Sequence, residues 1–133
     1  EACKKAGIGF AFHNHTKEFD RIEGKVPYEM FLSEISAGLM KFELDLGWAT
    51  KSGTDPIELF KKHPGRFPLW HVKDLSPITQ KPVEIGTGYV NLKRVFDAAE
   101  SAGMQHFFVE QDAAPQPMDN IATSFKNLKA LIG

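Results

Sequence analysis

The sequence of 133 residues is poor in cysteine, in net charge and in long apolar segments. The lone Cys3 excludes a disulfide within the chain and is compatible with a reducing compartment. The 16 basic and 17 acidic side chains give a formal net charge of −1, without the basic excess typical of a nucleic-acid-binding protein. No apolar run approaches the roughly 20 residues of a membrane-spanning helix. We therefore expect neither a nucleic-acid nor a membrane partner.

Two sequence signals are also absent. The first five residues, Glu-Ala-Cys-Lys-Lys, contain no apolar segment of the kind found in signal peptides, so we expect a cytoplasmic protein. No glycine-rich phosphate-binding loop follows the first predicted strand, which weakens a dinucleotide-binding interpretation. The remaining composition, 42% hydrophobic and 25% charged, is typical of a globular domain.

A strand-like segment followed by a helix-like segment recurs four times along the chain. The strand-like segments are short apolar runs at residues 8–12, 41–45, 67–72 and 106–110. Apolar residues with helical spacing lie at 28–35, 92–99 and 121–132. Asp55, Pro56 and Glu58 predict the start of a helix before the third run, and Asn91 predicts another helix cap. Residues 1–6 are predicted to be the end of a preceding helix.

Alternating strands and helices predict an α/β fold with a parallel sheet and right-handed crossovers. Both a doubly wound sheet and a (β/α)₈ barrel meet this description. A full barrel typically needs about 250 residues, so four units correspond to about half of one. In both architectures the loops at the carboxyl ends of the strands converge and form the binding site.

Ionisable residues lie at all four predicted strand ends. They are His13 and His15, then Asp45, then His71, then Glu110. Imidazole and carboxylate donors that converge from neighbouring strands suit a divalent metal such as Mn²⁺, Co²⁺, Fe²⁺ or Zn²⁺. Their place in the predicted fold, rather than their spacing along the chain, indicates a metal site.

Each of these residues also has a structural alternative. His13 and His15 can be polar residues of a strand-to-loop junction, and His71 can be a hydrogen-bonded core histidine. Glu110 can pair with a lysine. Asp45 lies between two leucines, where an unpaired carboxylate is costly, so its position favours a partner or a metal.

Six short motifs occur in a fixed order over nearly the whole chain. They are residues 12–19 (Phe-His-Asn-His-Thr-Lys-Glu-Phe), 42–48 (Phe-Glu-Leu-Asp-Leu-Gly-Trp), 53–56 (Gly-Thr-Asp-Pro), 71–74 (His-Val-Lys-Asp), 86–88 (Gly-Thr-Gly) and 108–112 (Phe-Val-Glu-Gln-Asp). In these motifs the chain resembles the xylose isomerase-like superfamily of TIM barrels, in its sugar phosphate isomerase/epimerase branch. The resemblance implies a (β/α)₈-type fold in which residues 1–133 form a single domain, the C-terminal half of the barrel with strands five to eight.

The resemblance also implies a metal site. In the family, a Glu, an Asp, a His and a second Glu from these four strands hold one divalent metal. Asp45, His71 and Glu110 match the last three positions, and His13 stands at the first in a His-Asn-His variant. Family epimerases move a proton with the two glutamates on opposite faces of the substrate, and here only Glu110 matches. Either His13 or His15 takes over the lost role, or the reaction differs from simple epimerisation.

Further roles follow from the same resemblance and from the chemistry of a sugar enediolate. Glu110 is the expected base, with His15 or Lys73 as the acid or base on the other side. Lys73 can instead form a surface ion pair with Asp74. Trp48 either stacks against a sugar ring or packs in the core.

Three more residues complete the predicted site. Glu18 is expected to orient His15 through a hydrogen bond. Gly86 and Gly88 either let the backbone approach the substrate or shape a turn.

The expected function is that of a divalent-metal-dependent isomerase or epimerase acting on a small keto sugar or polyol. The alternatives are an inosose-type dehydratase or lyase of the same superfamily, and a non-catalytic fragment that needs a partner half. The endonucleases of the superfamily, which act on abasic DNA, use more histidines and a basic groove, and the net charge argues against them. Half a barrel leaves open sheet edges, so we expect a homodimer or a separate N-terminal half-barrel as partner.

Overall fold

A parallel sheet of four strands organises the chain, which the computed structural model describes over residues 1–133. The chain has six strands in all, four in this sheet and two in a separate hairpin. They are β1 (Ala11–His13), β2 (Lys41–Asp45), β3 (Leu69–Val72), β4 (Asp74–Leu75), β5 (Pro82–Val83) and β6 (His106–Val109). The parallel sheet has the order β1-β2-β3-β6, and β4 pairs with β5 in an antiparallel hairpin. The order of the four parallel strands along the chain confirms the predicted α/β arrangement.

Helices precede, connect and follow the parallel strands. They are α1 (Ala2–Lys5), α2 (Pro27–Glu34), α3 (Leu46–Lys51), α4 (Pro56–Lys62), α5 (Leu92–Phe96), α6 (Ala99–Ala102) and α7 (Pro117–Ile132), with a 3₁₀ turn at Lys17–Phe19. Both predicted caps are confirmed, because the Asp55 carboxylate accepts the Ile57 N–H and the Asn91 carboxamide accepts the Arg94 N–H. None of the helices combines the length and the hydropathy needed to cross a membrane.

One local prediction is corrected, and one element was not predicted. The periodic segment 92–99 is not one helix, because the chain leaves helical geometry at Ala98 and restarts as α6. The hairpin of β4 and β5 has no strand-like sequence pattern. It forms around Asp74, whose buried carboxylate accepts backbone N–H groups from Leu75 and from positions 86, 88 and 90.

The core lies between the parallel sheet and the helices. Phe42, Leu44, Trp70 and Val72 alternate along β2 and β3, and all four are fully buried. The ring of Phe60 on α4 stacks on Trp70, with 5.3 Å between the centroids. Burying a large apolar side chain of this kind stabilises the fold by about 1.5–3 kcal/mol. The intervening residues of the strands therefore face the other side of the sheet, where all are partly buried except Asp45, which is fully buried.

The edge of the sheet at β6 is apolar and exposed. A groove of about 520 Å³ runs between β6 and α7, and Phe108, Ile121, Phe125 and Ile132 line it. The apolar stripe predicted for residues 121–132 is therefore mostly exposed, and only Leu128 of the stripe is buried. At the opposite edge, next to β1, Phe10 is also exposed.

Candidate metal centre

Four of the predicted residues meet at the carboxyl ends of the four parallel strands. One ligand atom from each of His13, Asp45, His71 and Glu110 lies within 4.8 Å of the other three. Strand register accounts for the convergence, since Asp45 is directly opposite His71 in the β2–β3 pair. Glu110 follows β6 and continues its pairing through an N–H bond to the Val72 carbonyl. The structure therefore brings together the four residues predicted to bind metal.

The two carboxylate oxygens of Asp45 have different environments. Oδ1 accepts the Trp48 N–H at 2.8 Å and caps α3. Oδ2 is buried, and it lies 3.5 Å from His13 Nε2 and 3.1 Å from Lys73 Nζ. Neither Oδ2 nor His13 Nε2 has a hydrogen-bond partner of good geometry. A buried carboxylate oxygen and a buried imidazole nitrogen without such a partner can both donate an electron pair to a bound cation.

His71 lies between two glutamates. Its Nδ1 is 2.5 Å from Glu110 Oε2, and its Nε2 is 3.2 Å from Glu43 Oε1. Glu43 was not predicted as a site residue, although it shares one face of β2 with Asp45. A carboxylate at the second ring nitrogen is a common way to hold a metal-binding histidine in one orientation.

Lys73 is buried next to these residues. Besides Asp45, its ammonium group contacts Glu110 Oε2 at 3.3 Å and Asp112 Oδ2 at 2.6 Å. Burial tends to lower the pKa of Lys73, but the surrounding carboxylates, Asp112 foremost, outweigh it and the pKa is raised. In turn, the Lys73 ammonium holds the pKa of Asp112 below its ordinary value. The surface ion pair between Lys73 and Asp74 is absent, because both are buried and the Asp74 carboxylate binds backbone amides.

The cluster carries more negative than positive charge. It contains one ammonium group, that of Lys73, and four carboxylates, those of Glu43, Asp45, Glu110 and Asp112. The interaction with Asp45 also raises the pKa of His13, since the carboxylate stabilises the imidazolium against the opposing effect of burial. Two imidazoles, two carboxylates and an excess of negative charge fit a divalent cation, so these residues can hold a metal ion.

The remaining predicted residues surround this cluster. The His15 ring is exposed and its centroid lies 5.0 Å from that of His13. Trp48 is beside the cluster, with Lys73 Nζ 4.4 Å and Lys51 Nζ 5.1 Å from its ring centroid. Glu18 was expected to orient the His15 side chain. Instead, its carboxylate accepts the backbone N–H of His15 at 2.9 Å and therefore orders the main chain there.

The two predicted glycines belong to the turn around Asp74. The N–H groups of Gly86 and Gly88 both donate to Asp74 Oδ2 at 2.9 Å. A Cβ at Gly88 would lie 2.2 Å from Asp74 Oδ1, so that position accepts no larger residue. These contacts agree with the turn-shaping alternative, and a contact of either glycine with substrate stays a prediction.

Solved structures of known enzymes share this architecture. Two crystal structures of a sugar phosphate isomerase/epimerase from Parabacteroides distasonis match it with TM-scores of 0.84 and 0.77, each at 28% sequence identity. They cover 98% and 97% of this chain, which spans 48% of theirs. The chain is similar in structure to these members of the xylose isomerase-like TIM barrel superfamily. Its four-stranded parallel sheet corresponds to half of the barrel.

A third structure supports the fold alone. It is the probable 3-DHS dehydratase involved in petrobactin synthesis from Bacillus anthracis, with a TM-score of 0.73 and 16% identity over 95% of this chain and 51% of its own. No model of a protein family and no curated protein sequence matches the chain. The chain thus spans about half the length of the structures that it resembles.

Proposed function

We propose that this chain contributes the metal site of a divalent-metal-dependent isomerase or epimerase, which acts on a small keto sugar or polyol through an enediolate. The observation that carries the proposal is the convergence of His13, Asp45, His71 and Glu110 within 4.8 Å at the strand ends. The likeness to a sugar phosphate isomerase/epimerase supports the substrate class. Residues 1–133 are then one domain, the C-terminal half of the barrel.

The metal and Glu110 would have complementary roles. His13, Asp45, His71 and Glu110 would hold the divalent ion, which would supply Lewis-acid stabilisation of negative charge on the sugar oxygens. Glu110 is partly exposed, so its carboxylate can reach a carbon-bound proton of a substrate that lies on the open face of the sheet. We assign Glu110 the role of the base for this reason.

A second group must return or remove the proton on the other side of the substrate. Lys73 is 1% exposed and its ammonium group is already paired with three carboxylates. His15 is exposed at the rim, next to the ring of His13. We therefore favour His15 over Lys73 as the second acid or base, and Trp48 as a wall of the sugar pocket.

Proton exchange in deuterated water tests the proposal. Ketoses and 3-keto sugars are incubated with the chain and Mn²⁺, and a mass increase of one unit per exchanged hydrogen is the expected result. Glu110→Gln should abolish the exchange, whereas Glu100→Gln, at an exposed position of α6, should leave it unchanged. Loss of water without exchange would favour the dehydratase or lyase alternative. Metal binding without any turnover would favour a non-catalytic half that requires its partner.

The partner is part of the same proposal. The exposed apolar groove beside β6 and the exposed Phe10 beside β1 lie at the two edges that a closed barrel does not have. We propose that a second copy of the chain, or a separate N-terminal half-barrel, covers these edges. Supplying either one is then expected to increase turnover.

A further inference from the structure

One ammonium group lies inside the candidate metal centre. The Nζ of Lys73 is 3.1 Å from Asp45 Oδ2 and 3.3 Å from Glu110 Oε2. Both oxygens belong to side chains that we propose as metal ligands. The positive charge of Lys73 therefore lies next to the same carboxylate oxygens that a metal ion would contact.

The surroundings of Lys73 hold it in this position. Its Nζ donates to Asp112 Oδ2 at 2.6 Å, and Asp112 is not one of the four proposed ligands. The Trp48 ring lies alongside, in the range of a cation–π contact. Gly47 leaves space for the aliphatic stem, since a Cβ there would lie 2.9 Å from both Cβ and Cγ of Lys73. The ammonium group is thus fixed by contacts on several sides.

We propose that Lys73 is the resident counter-ion of the candidate metal centre: its ammonium group competes with a divalent ion for the oxygens of Asp45 and Glu110 and so lowers the affinity for that ion. The inference rests on the proposed function, because it takes the four residues as the metal site. Asp112 gives the ammonium group a partner that it keeps when a metal takes the other two oxygens. Lys73 is a positioning and charge-balancing residue in this account, and it does not touch substrate.

Charge and geometry together set the direction of the effect. Like charges a few ångströms apart repel strongly in a partly buried site, where water screens them poorly. Removing the ammonium group therefore removes a repulsion toward any incoming cation and leaves Asp45 Oδ2 and Glu110 Oε2 without the positive charge of Lys73. Both changes favour metal binding, so loss of the lysine is expected to tighten it.

Calorimetric titration with Mn²⁺ alone tests the inference on the metal-free chain. Lys73→Met is expected to bind Mn²⁺ about tenfold or more tightly than the wild type. Lys51→Met is the matched control, because Lys51 also lies beside Trp48 but its Nζ donates to the Gln80 carbonyl at 3.0 Å. The control should bind within about twofold of the wild type, since its charge does not touch the ligand oxygens.

A charge-neutral double variant covers the case in which Lys73→Met alone does not fold. Lys73→Met combined with Asp112→Asn removes one positive and one negative charge. The double variant also avoids an Asp112 carboxylate that has lost the ammonium group of Lys73 as its partner. The same tightening is expected, because Asp112 is not a proposed ligand while the cation on the ligand oxygens is gone.

Asp45→Asn, measured alongside, separates the counter-ion role from the metal site itself. Unchanged or weaker binding in both lysine variants, with binding lost in Asp45→Asn, overturns the counter-ion role and leaves the metal site standing. No binding in any variant, or binding that Asp45→Asn leaves intact, overturns both. Tighter binding in either lysine variant, including binding detectable only there, supports the counter-ion role provided that Asp45→Asn does not bind Mn²⁺.

Discussion

The side chain of Asn14 brackets the backbone of Asp45. Its Oδ1 accepts the Asp45 N–H at 2.9 Å, and its Nδ2 donates to the Asp45 carbonyl at 3.4 Å. Asn14 is fully buried and directly follows His13 at the end of β1. The contact ties the end of β1 to the end of β2. It therefore sets the position of His13 relative to Asp45, and gives the middle residue of the His-Asn-His motif a structural role.

Asn14→Ala should reduce both stability and metal affinity. The variant leaves a buried Asp45 N–H without its partner, which costs about 1–3 kcal/mol in the free energy of unfolding. Because the hydrogen bonds that hold the end of β1 against the end of β2 are then lost, Mn²⁺ should also bind more weakly. Asn127→Ala is the control: it removes a 2.8 Å bond to the Ile85 carbonyl away from the site. Denaturant unfolding and Mn²⁺ titration of both variants should show a loss of affinity in Asn14→Ala only.

Glu43→Gln should weaken metal binding without unfolding the chain. Glu43 is partly exposed and holds the Nε2 side of His71, and loss of such an orienting carboxylate typically costs about tenfold to a hundredfold in metal affinity. Glu84→Gln is a matched control, because Glu84 also accepts a bond, from Asn120, but lies outside the cluster. Equal Mn²⁺ affinities for Glu43→Gln and the wild type would show that His71 does not depend on Glu43.

Acid should remove the contribution of Asp55 to stability. The Arg94 guanidinium holds the pKa of Asp55 below its ordinary value. Because the pKa is lower in the folded chain, this stabilisation is present above the unfolded pKa of about 3.9 and is lost as the pH falls through the folded value. The difference in unfolding free energy between wild type and Asp55→Asn should therefore be constant above about pH 5 and shrink below about pH 4.

Asp55→Ala separates the helix cap from the ion pair. The alanine removes the acceptor of the Ile57 N–H as well as the charge, and loss of a cap costs about 1 kcal/mol. Asparagine keeps an acceptor at that place. Asp55→Ala should thus remain less stable than Asp55→Asn even at low pH. A pH-independent difference between wild type and Asp55→Asn would contradict the ion-pair account.

The apolar groove beside β6 should drive association of the chain. Phe125 is 68% exposed within the groove, and a large exposed apolar patch of this kind typically marks an interaction surface. Light scattering should detect dimers or larger species of the wild type, and Phe125→Lys should shift the mass toward one chain. Ile78→Lys is the control, since Ile78 is 89% exposed but lies outside the groove. A stable wild-type monomer would contradict the prediction.

Regular periodicity allowed most of the fold to be predicted. The apolar runs at 41–45 and 106–110 correspond to β2 and β6. Such strands can be predicted because their apolar residues form a recognisable local pattern in the sequence. The caps at Asp55 and Asn91 are equally local. The hairpin of β4 and β5 was missed because its stability comes from one side chain, Asp74, which binds amides up to sixteen positions away.

The candidate site was predictable only in part. His13, Asp45, His71 and Glu110 could be grouped because parallel strands end at one rim of the sheet. Glu43 and Asp112 were missed as site residues, since their contacts with His71 and Lys73 depend on side-chain reach across strands and not on any spacing in the chain. For the same reason, the burial of Lys73 among carboxylates was visible only in three dimensions.

The position of a bound metal shows whether the strand-end side chains form a metal site. Crystals of the chain soaked in Mn²⁺ can be measured at a wavelength where manganese scatters anomalously. We expect one strong anomalous peak at the strand ends, in contact with His13, Asp45, His71 and Glu110. A peak elsewhere on the chain, or no peak among these four side chains at saturating Mn²⁺, would contradict it.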